Sequence, residues 1–224
     1  MFVLKYEMHD NIPVFKSNLC GKCTNMLEST SYASAMNRGC CWYFPKYTLV
    51  DMKNILSIGK KDYLLSIVKN DFCTMNSYSF ELKGYFNKNS YEHYMNHKEH
   101  KNQSDFDEKL FFKICPLAAK KGCSIDFSLR PHPCNLYLCR EIVNICKSQY
   151  EDYKKERKDY FAYCSYFNEV LQEELDCNNI NLINDFDKSL AAIENYDLPL
   201  FEPRSLAPIM FNMHEGDLSL NIAT

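Results

Sequence analysis

Alternating apolar and polar positions predict several short strands in the first part of the chain. Residues 2–6 alternate weakly, and the pattern stops near a polar Asp10-Asn11 pair. Gly84 indicates a bulge or a turn in the most aromatic of these segments. A short helical turn is expected around residues 117–119. The strands are expected at residues 2–6, 73–86, 110–114 and 125–129.

Helical periodicity begins at Thr48, because Thr48 and Asp51 have the spacing of a capping box with Asp in place of Glu or Gln. Apolar side chains then recur three or four residues apart, and Gly59 is expected to end this helix. A second helix is predicted at residues 62–68. The apolar positions of the first helix are Leu49, Met52, Ile55 and Leu56.

The second half of the chain has a mostly helical pattern. We expect helices near residues 141–146, 147–176 and 185–196, and the longest has a regular apolar stripe that predicts packing on the rest of the protein. After Pro199 the tail is extended and partly apolar, so it either wraps back over the domain or docks a protein partner. The stripe consists of Tyr153, Tyr160, Phe161, Cys164, Phe167, Val170, Leu171 and Leu175.

These elements predict an α+β fold, with a small cysteine-rich metal-bound core and short strands followed by a mostly helical C-terminal half. Residues 1–140 are expected to form a cysteine-cluster metal-binding domain, with a polar insertion at about residues 87–107. Residues 141–224 are expected to form a helical extension and a C-terminal tail packed on that domain. A chain of 224 residues is long enough to bury a sizeable core.

Charge and hydropathy exclude several classes of partner. The net charge is -3, so no basic field favours nucleic acid. No run approaches the about 18 apolar residues that a membrane span needs. Glu7, Asp10 and Pro13 stand where a signal peptide would be apolar, so we expect a cytoplasmic protein. In that reducing compartment, twelve cysteines indicate metal ligands or catalysts more than a disulfide framework.

The stretch from Cys115 to Cys139 is the centre of the predicted chemistry. It contains four cysteines, three prolines, one glycine and one arginine, a composition typical of a loop wrapped around a metal rather than a buried helix. Upstream, Cys20-Gly-Lys-Cys23 resembles a metal-binding knuckle. We expect the two groups to meet and to bind metal. The candidate ligands are Cys20, Cys23, Cys40, Cys41, Cys115, Cys123, Cys134 and Cys139.

Thiolates select zinc, iron–sulfur clusters or Cu(I), and eight of them would fill two four-ligand sites or one cluster with structural thiols left over. Some alternatives stay open. One of the adjacent pair Cys40-Cys41 could be a buried structural thiol. His132 is a ligand substitute, a residue behind the ligands or an exposed side chain, while Arg130 could screen the negative site. His93, His97 and His100 share helical spacing but lie in the polar insertion, and Cys146, Cys164 and Cys177 are expected to be structural.

This arrangement resembles the YkgJ-type cysteine-cluster family, which is described as zinc- or iron-chelating domains. The resemblance covers about residues 18–140. More distantly, the chain is similar to the flagellin lysine-N-methylases, which share the cysteine cluster. The family implies metal binding without defining a reaction. The matching motifs are Cys20-x2-Cys23, Gly39-Cys40-Cys41, Cys115-Pro-Leu, Gly122-Cys123-Ser-Ile, Arg130-Pro and Cys134.

Two functions follow from these observations. The first is a metal-binding protein with a structural or accessory role, in which zinc or an iron–sulfur cluster is held by the clustered thiolates. The second is an iron–sulfur-dependent methyltransferase that resembles a lysine-N-methylase, for which Asp126 and His132 are the nearest acid–base candidates. The chain has no G-x-G-x-x-G loop for a cofactor, and the first function is preferred.

Overall fold

The computed structural model describes residues 1–19, 44–97, 109, 112–119 and 122–212. Within these residues, helices and strands both occur, with most strands in the first half and long helices in the second, so the fold is α+β. None of the helices among the described residues is long and apolar enough to cross a membrane.

The chain begins with a hairpin of β1 (Phe2–His9) and β2 (Ile12–Ser17). Asp10 takes a left-handed backbone conformation in the turn, with φ of 54°, which Asp tolerates better than most residues. The predicted first strand is therefore confirmed, and β2 was missed. Near the other end of the chain, β10 (Ile209–Phe211) pairs antiparallel with the free edge of β1. The tail thus wraps back over the domain.

A second sheet has the order β3 (Lys46–Thr48), β5 (Ser79–Leu82) and β4 (Cys73–Asn76). The single strand predicted at residues 73–86 is wrong, because the chain reverses between β4 and β5 and the two strands pair with each other. β6 (Tyr85–Phe86) leaves this sheet and pairs with β7 (Lys113–Ile114).

The predicted helices of the first half are confirmed as α1 (Leu49–Ser57) and α2 (Lys61–Val68). The capping box is present: the Asp51 amide donates to the Thr48 hydroxyl, and the Thr48 amide donates to the Asp51 carboxylate at 2.9 Å. Gly59 follows α1 with φ of 70°, as a helix-ending glycine does. α3 (Lys88–His97) occupies the first part of the predicted polar insertion, and residues 98–108 lie outside the described part.

The predictions for the segment after Cys115 were wrong in two places. Residues around 117–119 form no helical turn, because β8 (Ala118–Ala119) pairs with β9 (Gly122–Cys123) in a small hairpin. The strand expected at 125–129 is a 3₁₀ turn, Phe127–Leu129, and the Phe127 carbonyl accepts from the Asn135 side chain instead of a neighbouring strand. α4 (His132–Asn135) follows directly after Pro131.

The C-terminal half is helical as predicted. α5 (Arg140–Cys146) is joined by a 3₁₀ turn, Lys147–Tyr150, to the long α6 (Glu151–Cys177), and α7 (Phe186–Asn195) follows. α1 packs against both α6 and α7. One buried cluster joins side chains from the strands and the helices of both halves, and a boundary at residue 140 stays a prediction. The buried members of the α6 stripe are Tyr153, Tyr160, Cys164, Leu171 and Leu175.

Candidate metal centre

Four of the eight predicted ligands lie in the described part of the chain. Cys115 and Cys134 are half-buried, Cys123 is exposed, and Cys139 is buried. Cys20, Cys23, Cys40 and Cys41 lie outside the described residues. Among the described residues, no group of three or more His, Cys, Asp or Glu side chains has the arrangement of a metal site.

The β8–β9 hairpin brings Cys115 and Cys123 towards each other along the chain. The Cys115 carbonyl accepts a hydrogen bond from the Ala118 amide at 3.0 Å, and Ala118 is the strand partner of Cys123. Ser124 closes the hairpin, because its amide and its hydroxyl both donate to the Leu117 carbonyl, at 3.0 and 2.8 Å. These hydrogen bonds join Leu117 and Ser124, which are seven residues apart in sequence, at the base of the hairpin.

Cys123 and Cys134 both affect the pKa of one tyrosine, Tyr63 of α2. Burial raises the pKa of Tyr63 to about 12, and the negative forms of Cys123 and Cys134 contribute to this increase, while a hydrogen bond with Tyr47 and the charge of Arg130 oppose it. The Tyr47 and Tyr63 hydroxyl oxygens are 2.6 Å apart. Two predicted ligands from different parts of the segment therefore lie on one side of the protein, around Tyr63.

A second tyrosine connects this region to the chain between the two cysteines. The Tyr47 hydroxyl donates to the Leu129 carbonyl at 3.3 Å. Burial raises the pKa of Tyr47, and Tyr63 and Cys134 raise it further. Sequence reasoning missed both tyrosines, because nothing local in the sequence relates residues 47 and 63 to a segment about 70 residues downstream.

Residues 130–135, the ligand loop, are held by a buried hydrogen bond between a histidine and a carboxylate. The Asp51 side chain is 3% exposed and His132 is 7% exposed, and His132 Nδ1 lies 3.0 Å from Asp51 Oδ1. The same oxygen accepts from the His132 amide at 2.9 Å. The prediction of an exposed His132 is therefore wrong, whereas a role behind the ligands agrees with a histidine two residues before Cys134.

Asp51 stays ionised in this environment. Burial alone would raise the pKa of Asp51, but the interaction with His132 and hydrogen bonds from Thr48 and His132 outweigh burial and hold the pKa below its usual value. A carboxylate can only accept hydrogen bonds, so Nδ1 of His132 carries the proton it shares with Asp51. The loop that contains Cys134 is thus fixed to the first turn of α1.

Arg130 and Asn135 complete the loop. Arg130 Nε donates to the Ile125 carbonyl at 2.7 Å, and the guanidinium lies 4.2 Å from the Phe127 ring centroid. Asn135 is 2% exposed, and its side-chain nitrogen donates to the Phe127 carbonyl at 2.8 Å. Its Oδ1 has no hydrogen-bond partner within the described part of the protein. The loop therefore combines a fixed cation with a buried acceptor beside Cys134.

The remaining cysteine of the segment has different neighbours. Cys139 directly precedes α5. Burial is the main cause that raises the pKa of Cys146, and the negative charge of the Cys139 thiolate raises it further. Burial also raises the pKa of Tyr153, and Cys146 adds to this increase. Cys139 thus interacts with the α5–α6 side of the core, whereas Cys123 and Cys134 interact with Tyr63.

The other sequence candidates are dispersed. His93 is exposed on α3, His97 ends that helix, and His100 lies outside the described residues. Asp126 is exposed before the 3₁₀ turn. As expected of structural thiols, Cys146 and Cys164 are buried, and burial raises the pKa of each; Cys177 is exposed at the end of α6.

The comparisons with known proteins give no relative. No protein-family model, no curated protein and no solved structure matches the chain. The resemblance to the YkgJ-type family therefore stays a prediction from the motifs.

Proposed function

We propose that the protein binds zinc or an iron–sulfur cluster through its two groups of cysteines, in a structural or accessory role. The observation that carries this proposal is the position of Leu19 and Phe44, the residues that flank segment 20–43. Leu19 follows β2, which packs against α4, and the Phe44 ring lies beside Gly84, near the Ile114 carbonyl. The chain therefore enters and leaves segment 20–43 next to elements that adjoin the downstream cysteines.

The N-terminal tether is β2. Lys16 Nζ is 5.6 Å from the Phe127 ring centroid, and β2 packs against α4, which contains Cys134. Leu19 is buried in the core. Because consecutive Cα atoms are 3.8 Å apart, the chain from Lys16 to Cys20 spans at most about 15 Å. The chain thus enters segment 20–43 from a strand that packs against α4.

The C-terminal tether is Phe44. Its ring fills the space beside Gly84, where an added Cβ would collide with it. The same Cβ would lie 3.1 Å from the carbonyl oxygen of Ile114, which directly precedes Cys115. Cys41 is three residues before Phe44, a separation of at most about 11 Å. The chain thus leaves segment 20–43 close to the residue that precedes Cys115.

The surroundings suit a thiolate-bound metal. Several thiolates around one divalent ion carry a net negative charge, and the positive charge of Arg130 acts on Tyr63, whose pKa Cys123 and Cys134 also affect. Asp51, the buried carboxylate of the region, is saturated by hydrogen bonds from Thr48 and His132. It is therefore not available as a competing oxygen ligand, and the predicted cysteine ligands are soft donors.

Thiol alkylation tests this proposal and uses a control built into the chain. Cys123 and Cys177 are both exposed, but only Cys123 is a predicted ligand. We expect Zn²⁺ at ten times its dissociation constant to slow iodoacetamide labelling of Cys123 about tenfold, because a bound thiolate does not react. Labelling of Cys177 should not change. Equal labelling rates of Cys123 with and without Zn²⁺, with iron loading also without effect, would contradict the proposal.

A further inference from the structure

Residues 199–211, which we call the strap, run back along α6 as an extended segment. The Tyr163 hydroxyl donates to the Pro199 carbonyl at 2.7 Å. The Phe201 ring lies 5.5 Å from the Tyr163 ring, between centroids. The strap ends in β10, which pairs with β1. Its position is therefore set by side chains of α6 and by the first sheet.

A buried carboxylate anchors the middle of the strap. Glu156 of α6 is 1% exposed, and its Oε1 accepts from the Tyr6 hydroxyl at 2.5 Å and from the Arg204 amide at 3.1 Å. The Arg204 guanidinium pairs with Asp159. A carboxyl group this deeply buried is costly without hydrogen-bond partners, so the closed position of the strap stabilises Glu156 in turn.

Tyr160 of α6 contacts both the strap and the ligand loop. Its ring centroid is 4.9 Å from Phe201 in the strap and 6.0 Å from His132 in the loop. The Tyr160 side chain is 1% exposed, and its hydroxyl accepts from Asn54 of α1 at 3.3 Å. Such a ring cannot turn without moving the groups packed on it, because close-packed interiors leave little free space.

We propose that the strap and the ligand loop dock cooperatively through Tyr160, so that metal bound at Cys134 holds the strap closed. The part that concerns metal rests on the proposed function. Coupling between two equilibria is reciprocal, so opening of the strap must lower metal affinity by the same factor by which bound metal disfavours opening. The strap is thus a conformational reporter of the metal centre.

Cleavage by trypsin at Arg204 measures opening of the strap. Arg204 is the single Lys or Arg of residues 199–211, and its amide and guanidinium are both bound in the closed strap. We expect zinc to slow formation of the fragment that begins at Ser205 by about fivefold or more, the lower end of ordinary coupling factors. The fragment is quantified by mass spectrometry.

Two neighbouring strap variants separate coupling from general loosening. Phe201→Leu removes the ring that contacts Tyr160, so it should speed cleavage and reduce the protection from cleavage that zinc gives. Leu200→Ala is the matched control, because Leu200 is 68% exposed, and it should change neither quantity. Zinc that binds without slowing cleavage at Arg204 would overturn the proposal.

A double-mutant cycle measured without metal keeps this test separate from the proposed function. His132→Asn removes the ring that packs on Tyr160 but keeps an amide donor for Asp51. The cleavage rates of His132→Asn, Phe201→Leu and the double variant form a cycle, and a non-additive result supports coupling. If no metal binds, the proposed function fails while this cycle still decides the coupling. Additive effects overturn the proposal with or without metal.

Discussion

Replacing Asp51 by Asn tests the link between α1 and the ligand loop. Oδ1 accepts from the His132 amide at 2.9 Å and from Nδ1 at 3.0 Å. Oδ2 accepts from the Thr48 amide at 2.9 Å and from the Thr48 hydroxyl at 2.8 Å. All four partners are donors, so the carboxylate uses both oxygens and its charge.

An Asn side chain satisfies at most one of these two sides, because its amide nitrogen donates. If that nitrogen faces Thr48, the hydroxyl can rotate and accept, but the Thr48 amide loses its acceptor. An unsatisfied buried N–H costs about 1–3 kcal/mol, and a hydrogen bond to a charged group contributes about 1.5–3 kcal/mol. Because Thr48 is half-buried and can recover part of this energy from water, we expect a loss of about 2–4 kcal/mol.

Urea unfolding of reduced, metal-free protein, followed by circular dichroism, measures this loss as a lower midpoint with an unchanged m-value. Asp62→Asn is the matched control, because Asp62 is an exposed acid in the first turn of α2. Its removal should cost at most about 1 kcal/mol. If Asp51→Asn destabilises no more than this control, the hydrogen bonds between Asp51 and His132 do not hold the ligand loop as described.

Three further predictions follow. Because the pKa of Asp51 is lowered on folding, the stabilisation by Asp51 is complete above the ordinary pKa of about 3.9 and is lost as pH falls through the folded value. The difference in unfolding free energy between wild type and Asp51→Asn should therefore shrink from pH 6 to pH 3. A constant difference would contradict this prediction. Gly84→Ala should cost about 1–3 kcal/mol in urea unfolding and weaken metal binding, because the added Cβ displaces the Phe44 ring; an unchanged midpoint would show that Phe44 does not pack there. Buried Cys164 should react with a thiol reagent only as fast as the protein unfolds, while exposed Cys177 reacts at once, and rapid labelling of both would refute that packing.

The elements that sequence reasoning found are those defined by local signals. The Thr48–Asp51 capping box lies within four residues, and the stripe of α6 repeats at helical spacing, so neither depends on the rest of the fold. The strand predicted at 125–129 failed for the opposite reason. An apolar run becomes a strand only when another strand pairs with it, and Asn135 takes the Phe127 carbonyl instead.

The candidate site divides in the same way. Clustered cysteines can be recognised from the sequence alone, but the residues that hold their segment in place are distant in sequence. Asp51 and His132 are 81 residues apart, and Tyr47 and Leu129 are 82 apart. Asp51 was identified as a capping residue, yet no local pattern indicates that the same carboxylate also binds His132. Such pairs become evident only when the fold is known.

X-ray absorption on anaerobically purified protein tests the central claim most directly, because it counts the sulfur atoms around a bound metal. We predict a first shell of about four sulfurs, at about 2.3 Å if the metal is zinc, with sulfide-bridged iron as the other thiolate-bound form. This shell should be lost in a variant with Cys123 and Cys134 both replaced by Ser. A shell of only nitrogen and oxygen, or protein that contains no metal, would contradict the account.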